Sequence, residues 1–117
     1  MYIGEVSKQT GASPKAIRLY EKLGLIAAPE RMNKYRYFSE QHVVTIQIIK
    51  KAQQLGFTLS EIKKIMSDEI SCEEFPWEKA TSLILSKIET NKNKIDELRS
   101  QNSELFEFTK QLKKRTF

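Results

Sequence analysis

Apolar residues along the chain fall at helical spacing in four short runs and one long one. Ile3 and Val6 lie three apart ahead of Gly11, which predicts a short helix ending near Thr10. Ser13 and Pro14 open a second helix. The Ser13 hydroxyl caps it, and Pro14 lacks only an N–H that has no partner in a first turn. Ile17, Tyr20 and Leu23 continue at helical spacing, with Ala16 beside them, until Gly24 ends the run. Two short helices across a Gly-containing turn make a helix-turn-helix. The period then changes. Leu25 and Ile26 are a short apolar step, and residues 27–34 have turn composition. Tyr35-Arg36-Tyr37-Phe38 reads as a strand, so a small hairpin wing is predicted.

Ser39 caps a third helix running to about Leu55. Its buried stripe is Val43, Ile46, Ile49 and Ala52, widened by Val44, Ile48 and Leu55. Thr58 and Glu61 form a capping box for a fourth helix, with Leu59, Ile62, Ile65 and Met66 turned inward. Residues 68–76 are a polar connector. From Trp77 to about Lys114 there is no Gly or Pro. Ile84, Ile88, Asn91, Ile95, Leu98, Asn102, Leu105, Thr109 and Leu112 recur at alternating steps of four and three, which is a heptad seam. Such a helix extends about 55 Å. A small domain cannot bury a rod of that length, so the simplest partner is a second copy, although a helix folded back on its own domain is the alternative. The seam residues Ile84, Ile88, Ile95, Leu98, Asn102, Leu105 and Leu112 are the expected dimer contacts. This pattern alone allows parallel or antiparallel pairing. The expected organisation is a DNA-binding unit over 1–70, a connector over 71–76 and a dimerisation helix over 77–114.

Charge sharpens this picture. The 117 residues carry a net +5. From Lys8 to Lys51 nine Lys/Arg stand against three acids, whereas from Ser71 onward nine stand against eight. The positive field belongs to the front half and points to a polyanionic partner. One cysteine, Cys72, and one histidine, His42, allow no disulfide within the chain and fit a reducing cytoplasm. They also give no soft-metal ligand set, no cofactor motif and no catalytic constellation of the usual types, so an enzyme is not expected. No signal peptide or run of about 20 apolar residues is present, and no membrane association is expected.

Four stretches carry a family resemblance: Tyr2 to Ser13 (YIGEVSKQTGAS), Ile17 to Ile26 (IRLYEKLGLI), Tyr35-Arg36-Tyr37, and Leu55 to Lys63 (LGFTLSEIK). Their order and spacing resemble the MerR family of bacterial transcription regulators. The resemblance implies a mainly α fold, a winged helix-turn-helix followed by a long antiparallel coiled-coil dimerisation helix. It implies a homodimer on a pseudo-palindromic operator in promoter DNA, whose spacer is bent and untwisted so that RNA polymerase elements realign. Smooth bending costs about 1–6 kcal/mol, which contacts to both half-sites must offset. Two departures stand out. The family usually has Gly before the wing Tyr-Arg pair, and here it is Lys34, so the turn must form without glycine, using Asn33 for a positive φ. Two aromatics often follow the recognition-helix Arg, and here they are Leu19 and Tyr20.

Arg18 matches that recognition-helix arginine and is the foremost DNA-contact candidate, with a salt bridge to Glu21 as its structural alternative. Lys15 lies one turn earlier. Ser13 is a cap that also sits where a phosphate meets a helix N-terminus. Tyr20 either donates to a phosphate or serves the core. Tyr35 and Arg36 match the wing motif, and Arg36 is expected on backbone phosphate. Lys63 and Lys64 fall in a second backbone-contacting region of the family. The effector is left open: Cys72 stands alone, and Trp77, Phe106 and Phe108 are more economically read as packing. Two rival readings use the same residues or fewer: a ligand-independent repressor or architectural DNA-binding protein, and a coiled-coil interaction module.

Overall fold

A computed structural model describes residues 1–67 and 75–117. The expectations for Cys72 and for most of the connector therefore lie outside the described residues. The order of elements is α1 (Ile3–Thr10), α2 (Pro14–Lys22), β1 (Glu30–Met32), β2 (Tyr35–Tyr37), α3 (Glu40–Gln54), α4 (Leu59–Ser67) and α5 (Trp77–Lys114). The chain divides into two compact units, Met1–Pro76 and Trp77–Phe117.

In the first unit, α1 stops at Gly11, whose φ of 76° lets its N–H turn back to the Ser7 carbonyl at 2.9 Å. Ser7 Oγ donates to the Ala12 carbonyl, and the Ala12 N–H donates to Thr10 Oγ1. The turn is thus pinned from both sides, and Ala12 is fully buried. Ser13 Oγ accepts from the Ala16 N–H at 3.0 Å and starts α2 with Pro14 in its first turn. That cap contributes about 1 kcal/mol. Ile17 and Tyr20 fill the inner face of α2. α1 packs on α2 and α3, and α4 packs on α3. The core joins Val6, Ile17, Tyr20, Leu25, Ile26, Phe38, Val43, Ile46, Ile49, Phe57 and Ile62.

Ser39 caps α3 as expected, and His42 completes a box that the sequence reading did not include. The Ser39 N–H donates to His42 Nδ1 (3.1 Å), while the His42 N–H donates to Ser39 Oγ (3.3 Å). His42 Nε2 lies 2.9 Å from the Ala27 carbonyl, so the tautomer with hydrogen on Nε2 satisfies both partners. Thr58 and Glu61 form the reciprocal box at α4. Two expectations need correction. Val44 and Leu55 do not widen the buried stripe. Val44 is one residue around from Val43 and is 43% exposed, and Leu55 caps the helix end at 62% exposed. The strand read over Tyr35–Phe38 ends one residue earlier, at Tyr37, while the ring of Phe38 is buried in the core.

The wing is a two-residue hairpin with register Glu30↔Tyr37, Arg31↔Arg36 and Met32↔Tyr35. Its turn residues Asn33 (φ 51°) and Lys34 (φ 70°) are both left-handed, the geometry that matches strand twist. The expected positive φ at Asn33 is present. Lys34 adopts one as well, at about 1 kcal/mol for a residue with a Cβ. The wing is tied to the chain start. Tyr2 bridges Tyr37, the Met1 ammonium donates to the Phe38 carbonyl (2.8 Å), and the Phe38 N–H donates to the Met1 carbonyl (2.6 Å). Tyr2 meets Tyr35 and Tyr37 edge-on, with ring centroids at 6.5 and 5.2 Å.

The second unit is α5 and its tail. At 38 residues, α5 is about 57 Å long, and none of its residues is buried. Ile84, Ile88, Ile95, Leu98, Leu105 and Leu112 are all about half exposed in the single chain. Among the described residues, no helix is long and apolar enough to cross a membrane.

Candidate nucleic-acid interface

Helical geometry sets Arg18 beside the buried Ile17, so its side chain leaves the core as α2 passes the wing. Between α2 and the hairpin lies an open concavity of about 720 Å³. Tyr2, Arg18, Arg31, Lys34, Tyr35 and Arg36 contribute to its wall. Four of these are cations, and among the described residues no acid lines it. A concave surface with one sign of charge concentrates the opposite sign, here an anion.

Glu21 fixes the geometry of this wall. It is the acid that sequence reasoning offered as a partner for Arg18, yet its Oε2 accepts from Arg36 Nε at 2.6 Å. Both side chains are largely withdrawn from solvent, at 28% and 19% exposure. The bond ties wing to α2 and compensates the Arg36 charge, while both terminal guanidinium nitrogens keep their own donors. Arg36 is therefore not the free surface cation that the sequence suggested. Arg18 makes no ion pair or side-chain hydrogen bond among the described residues, so its five donors are open to an incoming acceptor.

The other expected contacts divide clearly. Tyr35 is 69% exposed at the wall of the concavity. Lys15 is exposed on α2, and Ser13 is exposed at its N-terminus with its oxygen engaged in the cap. Lys63 and Lys64 are exposed on α4 and do not line the concavity. Tyr20 points the other way. Its ring is 2% exposed, and its hydroxyl donates to Gln53 Oε1 on α3 at 2.5 Å. Burial raises its pKa above 10.0, so the phenol stays protonated and keeps donating. A phosphate contact through that hydroxyl would require it to leave Gln53.

Sequence reasoning did not single out Arg31, Glu21 as the Arg36 partner, or Gln53. Arg31 was within reach of a register argument, because a two-residue turn at 33–34 sets it opposite Arg36. The Gln53 contact joins residues 33 positions apart, and no local pattern announces it.

Comparison with known proteins places this surface in context. Residues 1–69 match the family described as MerR HTH family regulatory protein, and residues 43–108 match the one described as MerR, DNA binding. The chain is 40% identical over 102 residues to the mercuric resistance operon regulatory protein of Bacillus cereus, covering 83% of this chain and 74% of that protein. It is 38% identical over 68 residues to the HTH-type transcriptional regulator CueR of Yersinia pestis, covering 57% of this chain and 49% of that one. The match thus spans about half of the latter's length. Among solved structures, the transcription regulator PbrR691 from Ralstonia metallidurans CH34, in complex with lead(II), aligns with a TM-score of 0.63 at 28% identity. That alignment covers 92% of this chain and 83% of the other.

Proposed function

Because this chain belongs to the MerR family of DNA-binding transcription regulators, we propose that it acts as a homodimer that grips and distorts a promoter. Two α5 helices pair antiparallel along Ile84, Ile88, Ile95, Leu98, Asn102, Leu105 and Leu112. Each protomer lays α2 in a major groove, where Arg18 reads base edges, and sets its wing on the flanking backbone. Ser13, Lys15, Tyr35, Arg36, Lys63 and Lys64 supply the surrounding contacts, which are to phosphate and carry register rather than sequence. Two clamped half-sites hold the duplex bent and realign the polymerase elements.

The observation that carries this reading is the cationic concavity between α2 and the wing, with Arg18, which forms no ion pair among the described residues, in its wall. The half-exposed apolar seam on α5 supports the dimer, since six such side chains in one stripe are costly to leave in water. Sedimentation of the protein with a duplex selected from a random pool tests both parts. The reading requires two chains per duplex and a two-fold symmetric selected site. One chain per duplex, or no selection, refutes it.

The relatives' names speak of mercuric resistance and lead(II). A soft-metal site needs converging thiolates or imidazoles. This chain has one cysteine, and no described cluster of three or more His, Cys, Asp or Glu fits a metal ion. A thiolate site made of its own residues would need Cys72 from each of two copies. The described residues therefore single out no effector.

A further inference from the structure

We infer that Asn91 of one copy pairs with Asn102 of the other, and that this polar layer fixes the register of the α5 dimer. This rests on the proposed antiparallel pairing and adds which residue faces which.

α5 is one unbroken helix over Trp77–Lys114, so its heptads run through without a skip. Ile88, Ile95, Asn102 and Thr109 fall at a positions, and Ile84, Asn91, Leu98 and Leu105 at d. Reversing one helix exchanges the steps of three and four, so each a residue faces a d residue of the other copy. Slips by whole heptads keep that rule, and the apolar pattern leaves several registers open. The asparagines select one. An amide carries donors and an acceptor, which a second amide satisfies and a leucine or isoleucine does not. In one register Asn91 and Asn102 face each other, twice by symmetry. Ile95 then faces Leu98, and Ile88 faces Leu105. A slip of one heptad in one direction turns Asn91 to Ile95 and Asn102 to Ile84. In the other direction Asn102 turns to Leu98. Both slips also shorten the overlap of the two helices.

The flanking positions make the same selection independently. With the asparagines matched, e positions lie beside e positions of the other copy. Leu85 then meets Phe106, and Glu78 meets Lys113. Leu85 and Phe106 stand off the seam at 61% and 64% exposure in the single chain, and this register gives each an apolar neighbour. Lys92 and Arg99 meet as like charges, which costs part of that gain. A slip of one heptad loses both favourable pairs. Parallel pairing sets g beside e instead, bringing Lys87 to Lys92 and Lys94 to Arg99 with no opposite pair. Register has a consequence for DNA. A slip of one heptad moves the two α5 starts about 10 Å along the rod, roughly three base-pair steps. The asparagine layer thus sets the half-site spacing that a dimer spans.

The test uses the full chain with Cys72→Ser, carrying Leu85→Cys/Phe106→Cys at exposed positions outside the seam. A short bismaleimide is added, and linked peptides are read by mass spectrometry beside sedimentation of the same sample. The expected result is two chains joined between positions 85 and 106. Those positions lie about 31 Å apart within one helix, so the link can form only between copies. Asn91→Leu and Asn102→Leu each set two asparagines against leucine in every dimer, whereas the combined variant removes the mismatch. The combined variant should associate about 100-fold more tightly than the single effects predict by addition. Its 85–106 link yield should fall as slipped registers fill. A dimer without the 85–106 link, or additive asparagine effects, overturns the register and leaves the dimer standing. A single chain in sedimentation, without the cysteine substitutions, overturns the dimer as well.

Discussion

Replacing Tyr20 by Phe removes one oxygen from the centre of the helix-turn-helix and separates two roles that the sequence left equal. The ring is 2% exposed, so its packing survives the change. What is lost is the 2.5 Å hydrogen bond to Gln53 Oε1, which joins α2 to α3. Gln53 is exposed, so water replaces the lost donor and the buried side is left with no orphaned group. The cost is then that of an ordinary hydrogen bond, about 1 kcal/mol, or a Tm lower by about 5 °C for a unit of this size. Because the hydroxyl points inward, DNA affinity at a temperature well below Tm should change less than two-fold. Thermal melts and fluorescence anisotropy on the same samples check both numbers. A pH series adds a third. Burial raises the folded pKa above 10.0, so above that pH the unfolded chain gives up its proton first. The stability contributed by the phenol is full below pH 10 and falls as pH rises through the folded pKa. The gap between wild type and Tyr20→Phe should therefore narrow above pH 10. Unchanged stability with a tenfold loss of DNA affinity would instead make Tyr20 a phosphate ligand.

Ile95→Ala in the middle of the α5 seam should weaken self-association about 1,000-fold, from about 2 kcal/mol lost on each of two copies, read by sedimentation equilibrium. Unaltered association with helicity intact would remove the seam as the interface. Thr58→Ala deletes the oxygen that caps α4 and should cost about 1 kcal/mol in urea unfolding, with a lower midpoint and the same m-value. Glu21→Gln should loosen the wing from α2, seen as faster amide exchange at residues 30–37, while Arg18 stays free to bind.

The helical elements were legible because each carries its own punctuation. Ser13-Pro14, Ser39 and the Thr58–Glu61 pair mark starts, and Gly11 and Gly24 mark ends. These are local effects of capping and backbone conformation. The wing was legible as a hairpin from its aromatic strand and turn composition. Its strand register and the second left-handed residue, Lys34, depend on twist matching across the pair, which single residues do not announce. The candidate surface was half legible. Arg18 and Tyr35 stand where helix and strand periodicity put them. The Arg36–Glu21 bond and the inward Tyr20 hydroxyl depend on which elements pack together, 15 and 33 residues apart in sequence. Periodicity ranked Val44 and Leu55 as buried because it gives the direction of a face and not its width.

If the groove between α2 and the wing is where DNA is held, Arg18→Ala must lose affinity for a duplex that wild type has selected from a random pool, with circular dichroism confirming the fold. Loss of two bidentate arginine contacts, one per half-site, predicts binding weaker by about 100-fold or more. Affinity equal to wild type, at the same salt concentration and with helicity intact, contradicts it.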